Sequence, residues 1–211
     1  MRQLTQTAPR RLAELLATKV RIISDRQAAF EFFWDAARPI RVARTAIGRL
    51  ERQGLVETQT LMTHPEIILP GPVLDWQRGD PVPNFGHVAR NLQARWDEPP
   101  VRTKIMWATK KAKRLCGVLG SPRRPRAKEI THDIHVAQVY FHLLRHDPEL
   151  AEHWVGEDEL RAKGRAGDIP DAVIAAPGGE QIIIEFGGAY DARKVRAIHQ
   201  SYAQYGRYQI W

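Results

Sequence analysis

The sequence predicts a mixed α/β protein of the α+β kind, organised as two domains. Three observations carry this. The N-terminal third shows helical apolar spacing with caps and ends in an alternating strand. The C-terminal third sets two short β-branched runs around the turn Pro177-Gly178-Gly179-Glu180, the pattern of a hairpin. A helical stripe stands on either side of that hairpin. With 211 residues and 43% hydrophobic content, the chain is long enough for one large core or two ordinary ones, and the pattern favours two.

Taken in order, Arg10–Lys19 is amphipathic and predicts the first helix. Asp25 reads as the N-cap of a second helix reaching Ala37. Pro39 opens a third, which runs to Gln53 and is stopped by Gly54. In that helix Val42, Ala46 and Leu50 are expected to point inward, and Arg41, Arg44, Thr45, Arg49 and Arg52 outward. Residues 55–59 alternate as a strand leading to a wing near His64-Pro65. Residues 1–70 thus read as a winged helix-turn-helix, with the third helix suited to the major groove of double-stranded DNA. The plainer alternative is a helical hairpin with a solvated basic face.

Residues 71–130 read as a connector. It is Pro-rich around a helix at Phe85–Trp96, and Trp76, Phe85 and Trp96 are expected to pack it onto the N-terminal domain. Its second half carries the charge. Between Pro100 and Ile130 stand Arg102, Lys104, Lys110, Lys111, Lys113, Arg114, Arg123, Arg124, Arg126 and Lys128, against Glu129 alone. Removing that segment from the 32 basic and 24 acidic residues leaves 22 against 23, so nearly all of the net +8 is local. A basic stripe suits a polyphosphate backbone, and a solvated, extended linker is the compatible plain reading.

Residues 131–211 read as the second domain. Ile134, Ala137, Phe141 and Leu144 mark a largely buried helix, followed by a weak strand near His153–Val155. Asp171 then heads one hairpin run and Glu185 ends the other. Each lies seven residues from Gly178, so a turn centred there sets the two acids opposite one another on one face. Like charges that close repel, and a hard cation such as Mg²⁺ bridging the oxygens is the expected reason for such a pair. The plain alternative is two acids at solvated strand ends. Asp191 caps a helix whose apolar positions are Val195, Ile198, Tyr202 and Tyr205, and Tyr208–Trp211 is a terminal strand expected to pair with residues 182–185.

Other chemistries lack their motifs. There is no P-loop, no Gly-rich dinucleotide fingerprint and no Gly-x-Ser-x-Gly elbow. The single cysteine, Cys116, forms no intrachain disulfide, and His132, His135, His142 and His146 have no Cys partners for zinc. No segment has signal-peptide or membrane-span character, so a cytoplasmic protein with no membrane partner is expected.

The order helix, strand, hairpin, helix, strand, with Asp171 after Pro170 and Glu185 at a strand end, resembles the PD-(D/E)XK nuclease fold and its αβββαβ core. That resemblance implies a catalytic site at Asp171 and Glu185 holding Mg²⁺. The lysine that usually follows the Glu by two residues is replaced by Gly187, and Lys194 on the next helix is the candidate substitute. Both halves together resemble the replication-relaxation proteins of bacterial plasmids and mobile elements. The features that carry this are the Arg-rich third helix and the segments Met106–Gly117, Thr131–Val136, Pro170–Ile174 and Ile184–Gly188, and with them comes an expected association with the nucleoid or a plasmid. It implies DNA binding in replication, relaxation or control of such elements, with other replication or transfer proteins as further partners. Two rivals stand beside it: a Mg²⁺-dependent endonuclease or nickase, and a non-catalytic protein-interaction module on a nuclease-like fold. The DNA-binding residues expected are Arg41, Arg44, Arg49, Arg52, Lys110, Lys111, Lys113, Arg114, Arg123, Arg124 and Arg126.

Overall fold

The computed structural model describes residues 7–118, 122, 124–164, 168–175 and 179–211. Within them the chain is mixed α/β. In order it forms α1 (Ala8–Thr18), β1 (Ile22–Ser24), α2 (Asp25–Phe32), α3 (Pro39–Arg52) and β2 (Val56–Thr63). Next come β3 (Leu74–Gln77), α4 (Phe85–Gln93), β4 (Val101–Ala108) and α5 (Lys110–Leu115). The remainder is α6 (Ile130–His146), α7 (Pro148–Glu152), β5 (Trp154–Gly156), α8 (Glu157–Ala162), β6 (Ala172–Ala175), β7 (Gln181–Glu185), α9 (Ala192–Tyr202) and β8 (Arg207–Ile210). Two compact units result. The first runs to Thr63 and resumes over Val101–Ala137; the second is His64–Pro100 with Gln138–Trp211.

In the first unit a three-stranded antiparallel sheet has the order β1-β4-β2. The local signals for its helices are strong. Ser24 caps α2 through a capping box with Gln27, so Asp25, expected as the cap, is the first helical residue instead. α2 ends at Phe32, five residues before the expected Ala37. Pro39 starts α3 as expected, and Gly54 stops it with φ 67°, a conformation that favours glycine. One sheet face packs Ile22, Ile105 and Trp107 against Ile130 and Ile134 of α6. By strand alternation Ile23 and Met106 face the other side. The side chain of Gln27 holds the Ile134 carbonyl at 2.9 Å, and Arg21 pairs with the buried Asp133 at 3.1 Å.

The wing differs from expectation. β2 does not turn back near His64-Pro65; its partner is β4, paired from Val56↔Ala108 to Thr63↔Val101. The chain between Thr63 and Val101 belongs to the second unit. The span 71–130, read as a connector, is therefore shared out: β3 and α4 join the second unit, β4 and α5 the first. The physical reason is that β3 and β4 find their partners far along the chain, and no local pattern encodes that choice.

The second unit is a five-stranded sheet of order β3-β8-β7-β6-β5. β7 and β8 run parallel; every other pair is antiparallel. One face packs Val173, Ile183, Tyr208 and Ile210 against Val88 and Leu92 of α4 and Val195, Ile198 and Tyr202 of α9. On the other face α6 brings Tyr140 to Trp154 and His142 to Trp211, with ring centroids 5.5 and 4.9 Å apart. Trp76 and Phe85 pack into the first of these cores, and Trp96 meets the Phe186 ring edge-on, so all three anchor the second unit rather than the N-terminal domain. The terminal strand is present beside β7 as expected, yet it is internal, since β3 covers its other side. Tyr205 leaves the apolar stripe of α9, because a 3₁₀ turn over Ala203–Tyr205 rotates it to 45% exposure.

Candidate nucleic-acid interface and acid pair

The basic face of the first unit is built on α3. Ala43, Ala46, Ile47 and Leu50 are buried; Val42, expected inward, is exposed, with Ala43 in its place. Arg41, Arg49 and Arg52 are exposed. Arg44 is exposed too, and its Nε donates to the buried carboxylate of Asp25 at 2.6 Å. Thr45 turns its hydroxyl back onto the Arg41 carbonyl at 3.0 Å. Arg38, Pro39, Ile40, Arg41, Arg44 and Thr45 line an open depression of about 530 Å³ at the start of the helix.

The sheet of the same unit carries two further basic residues. Thr58 of β2 donates to Glu51 in the last turn of α3 at 2.9 Å. Thr58, Thr60 and Met62 share that side, opposite Met106, Lys104 and Arg102 of β4. Arg102 is exposed and Lys104 partly so. Arg102 and Lys104 belong to the basic stripe read from sequence but not to the DNA-binding residues expected from it, and Arg38 belongs to neither. The strand alternation of β4 is the signal that finds them once its partner is known.

The basic stripe is otherwise divided. Lys110 and Arg114 of α5 are exposed, and Lys111 caps the end of α3 by donating to the Gln53 carbonyl at 2.7 Å. Lys113 is 7% exposed, so this expected DNA contact faces the interior; its place on the inner side of a one-and-a-half-turn helix decides that. Arg124 and Arg126 are exposed, the latter 3.5 Å from Glu129. Arg123 lies outside the described residues, as does the predicted turn at residues 177–178.

In the second unit β6 and β7 pair from Ala172↔Ile184 to Ala175↔Gln181. Continuing that register sets Asp171 opposite Glu185. Asp171 Oδ2 accepts the Phe186 amide at 2.7 Å. Glu185 is 9% exposed, and its two oxygens accept the hydroxyls of Tyr190 and Tyr202 at 3.4 and 3.2 Å. Burial first, then the charges of Glu185 and Asp171, push both phenols well above the usual tyrosine range. Both therefore remain neutral donors at physiological pH. Tyr190 and Tyr202 were missed as site residues, because Tyr202 reads in sequence as an ordinary member of an apolar stripe.

The missing lysine has a steric cause. A Cβ on Gly187 would stand 2.6 Å from Leu92 Cδ2 and 2.9 Å from Ile210 Cγ2, both in the core. The candidate substitute Lys194 is exposed; its amide is held by Asp191, and its Nζ lies 5.6 Å above the Tyr190 ring. It reaches the edge of the site through that ring and makes no ion pair with either acid. Arg95 does not replace it. Its guanidinium donates to the Gly187 and Trp211 carbonyls and lies over Phe186, on the side of the strand away from Glu185, and burial lowers its pKa to about 10. Asp133, part of the motif at the start of α6, is engaged by Arg21 in the first unit.

Two carboxylates are chemically suited to Mg²⁺, which takes one or two protein carboxylates and completes its shell with water or phosphate. Among the described residues no group of three or more His, Cys, Asp or Glu gathers for a metal. His135 is buried on the Thr131 carbonyl, and the His142 and His146 rings lie 4.3 Å apart. No described helix is long and apolar enough to cross a membrane. No family model, curated protein or solved structure matches the chain.

Proposed function

We propose that the protein binds double-stranded DNA through its first unit. The observation that carries this is a concentration of exposed basic side chains within one unit: Arg41, Arg49 and Arg52 on α3 and Arg102 on β4, with Lys104 partly exposed beside it. The unit's order of helix, strand, two helices and two strands, with β4 between β1 and β2, supports a winged helix-turn-helix with α3 as its recognition helix. Residues 64–100 then stand where the wing would close. The resemblance to replication-relaxation proteins would place this binding at an origin or control region of a plasmid or mobile element, alongside other replication or transfer proteins.

Affinity for a random duplex is expected to fall steeply with salt, because each neutralised phosphate releases a counterion. Changing Arg41, Arg49 and Arg102 together to Glu should weaken binding and flatten the logarithmic salt slope by about 0.9 per lost contact. Fluorescence anisotropy at several salt concentrations measures both. Salt-independent binding, or a slope the triple variant leaves untouched, would overturn the reading.

The second reading is a metal-dependent nuclease. It is favoured by the opposed Asp171 and Glu185 and by the order α6, β5, β6, β7, α9, β8, which suits a PD-(D/E)XK-like αβββαβ core. Asp171 and Glu185 would hold the Mg²⁺, which would supply charge stabilisation to a phosphodiester. It stands second because the lysine position is filled by core side chains and Lys194 lies on Tyr190. Loss of one such donor costs on the order of 10²–10³ in rate, so slow nicking is the most expected. Nicking of supercoiled plasmid by wild type, Asp171→Ala and Glu185→Ala, with Mn²⁺ binding followed in parallel by electron spin resonance, tests this. Efficient metal-dependent nicking lost in both variants would raise the nuclease above the binding protein.

A further inference from the structure

Resting on the DNA-binding reading, we propose that Asp25 and Arg44 turn the depression at the start of α3 into a reader of a guanine edge in duplex DNA. Asp25 is a buried carboxylate on the first residue of α2, where the capping box of Ser24 and Gln27 fixes the backbone. Arg44 is 60% exposed, and among the described residues its only polar contact is the 2.6 Å bond from Nε to Asp25. An arginine held by Nε keeps both terminal nitrogens for a second partner, and the planar fork is oriented before any ligand arrives. Orientation in advance removes the rotamer entropy that a free arginine loses on binding.

The surroundings fit the edge of a base pair. Arg44 lines the depression with Arg38 and Arg41, and neither of those side chains has a charged partner among the described residues. Three arginines border one hollow whose own lining is mainly apolar, and the exposed guanidinium of Arg44 at its edge calls for a ligand with acceptors. Guanine offers O6 and N7 as a pair matched to the fork, and the flanking phosphates suit Arg38 and Arg41. Pro39 and Ile40 supply an apolar wall for the edge of a base pair. Asp25 never touches DNA in this scheme. It is a positioning residue for Arg44.

The test is selection of binding sites from random duplexes with the full chain, followed by affinity measurements for wild type, Asp25→Asn and Arg44→Lys on the selected and random DNA. Asp25→Asn keeps the shape and removes the charge; Arg44→Lys, on the surface, keeps the charge and removes the fork. The expected result is a selected site with an invariant guanine whose 7-deaza analogue binds wild type roughly 10-fold or more weaker. Both variants should lose that discrimination with unchanged melting temperature, and Asp25→Asn, which alters no group that touches DNA, should bind random duplex within about twofold of wild type. If Asp25→Asn fails to fold, Arg44→Lys and the deaza substitution decide alone. A wild type that selects no guanine, or variants that retain full discrimination, overturn the inference and leave duplex binding standing. Absence of any duplex binding by wild type instead overturns the DNA-binding reading itself.

Discussion

Deleting Arg207–Trp211 is expected to unfold the second unit, not to trim it. β8 lies between β3 and β7, pairing from Leu74↔Ile210 to Gln77↔Arg207 on one side and from Ile183↔Tyr208 to Glu185↔Ile210 on the other. Its removal strips hydrogen bonds from both neighbours, and the Tyr208, Ile210 and Trp211 side chains, each at most 2% exposed, leave both sheet faces. Truncating a single large core side chain costs about 2–5 kcal/mol, and a domain's whole stability is about 5–15 kcal/mol. Hydrogen exchange should therefore show loss of protection across β6 and β7, while amides of β1, β2 and β4 in the first unit stay slow. A truncated protein that melts like wild type would mean that β8 is not an internal strand.

The second large effect is expected at Gly187. Restoring a lysine there, where the nuclease-like pattern has one, should destabilise the protein by about 3 kcal/mol or more, and Gly187→Ala by about 1–3 kcal/mol. The added Cβ would press on Leu92 of α4, which is fully buried, and on Ile210 of β8. Neither has open space to move into within a close-packed core. Urea titration should show a lower midpoint with an unchanged slope. Plasmid nicking should not increase, because the side chain at this position projects into the packing of Leu92 and Ile210. A Gly187→Lys variant as stable as wild type would show that the space is not filled as described.

These two expectations also mark where sequence reading stopped. The start of α3 at Pro39 and its stop at Gly54, the Asp191 cap of α9, the hairpin register and the strand after Gly206 were legible, because each depends on residues within a few positions of one another. The opposition of Asp171 and Glu185 followed from arithmetic about a turn. The tyrosines that hold Glu185 were not legible, since nothing in a helical stripe distinguishes a side chain that packs from one that also donates its hydroxyl to a buried acid. Nor was the division of the basic stripe: Lys110, Lys111 and Lys113 are alike as letters, yet the first two are exposed, the second of them capping α3, and the third is buried.

What the sequence by itself determined is therefore the bounds of α3, the cap of α9, most of the apolar positions of those two helices, the concentration of positive charge and the register of the hairpin that carries the two acids. Only the tertiary structure decided that residues 64–100 leave the first unit between β2 and β4, that β3 closes over β8, that Arg44 is tied to Asp25, and that Gly187 has no room for a side chain. The physical reason is one of range. Caps, turns and periodicity are fixed by forces acting over a few residues. Which strand covers which edge is settled by burial of apolar surface between segments far apart in the chain, where many pairings satisfy the same local pattern and packing selects among them.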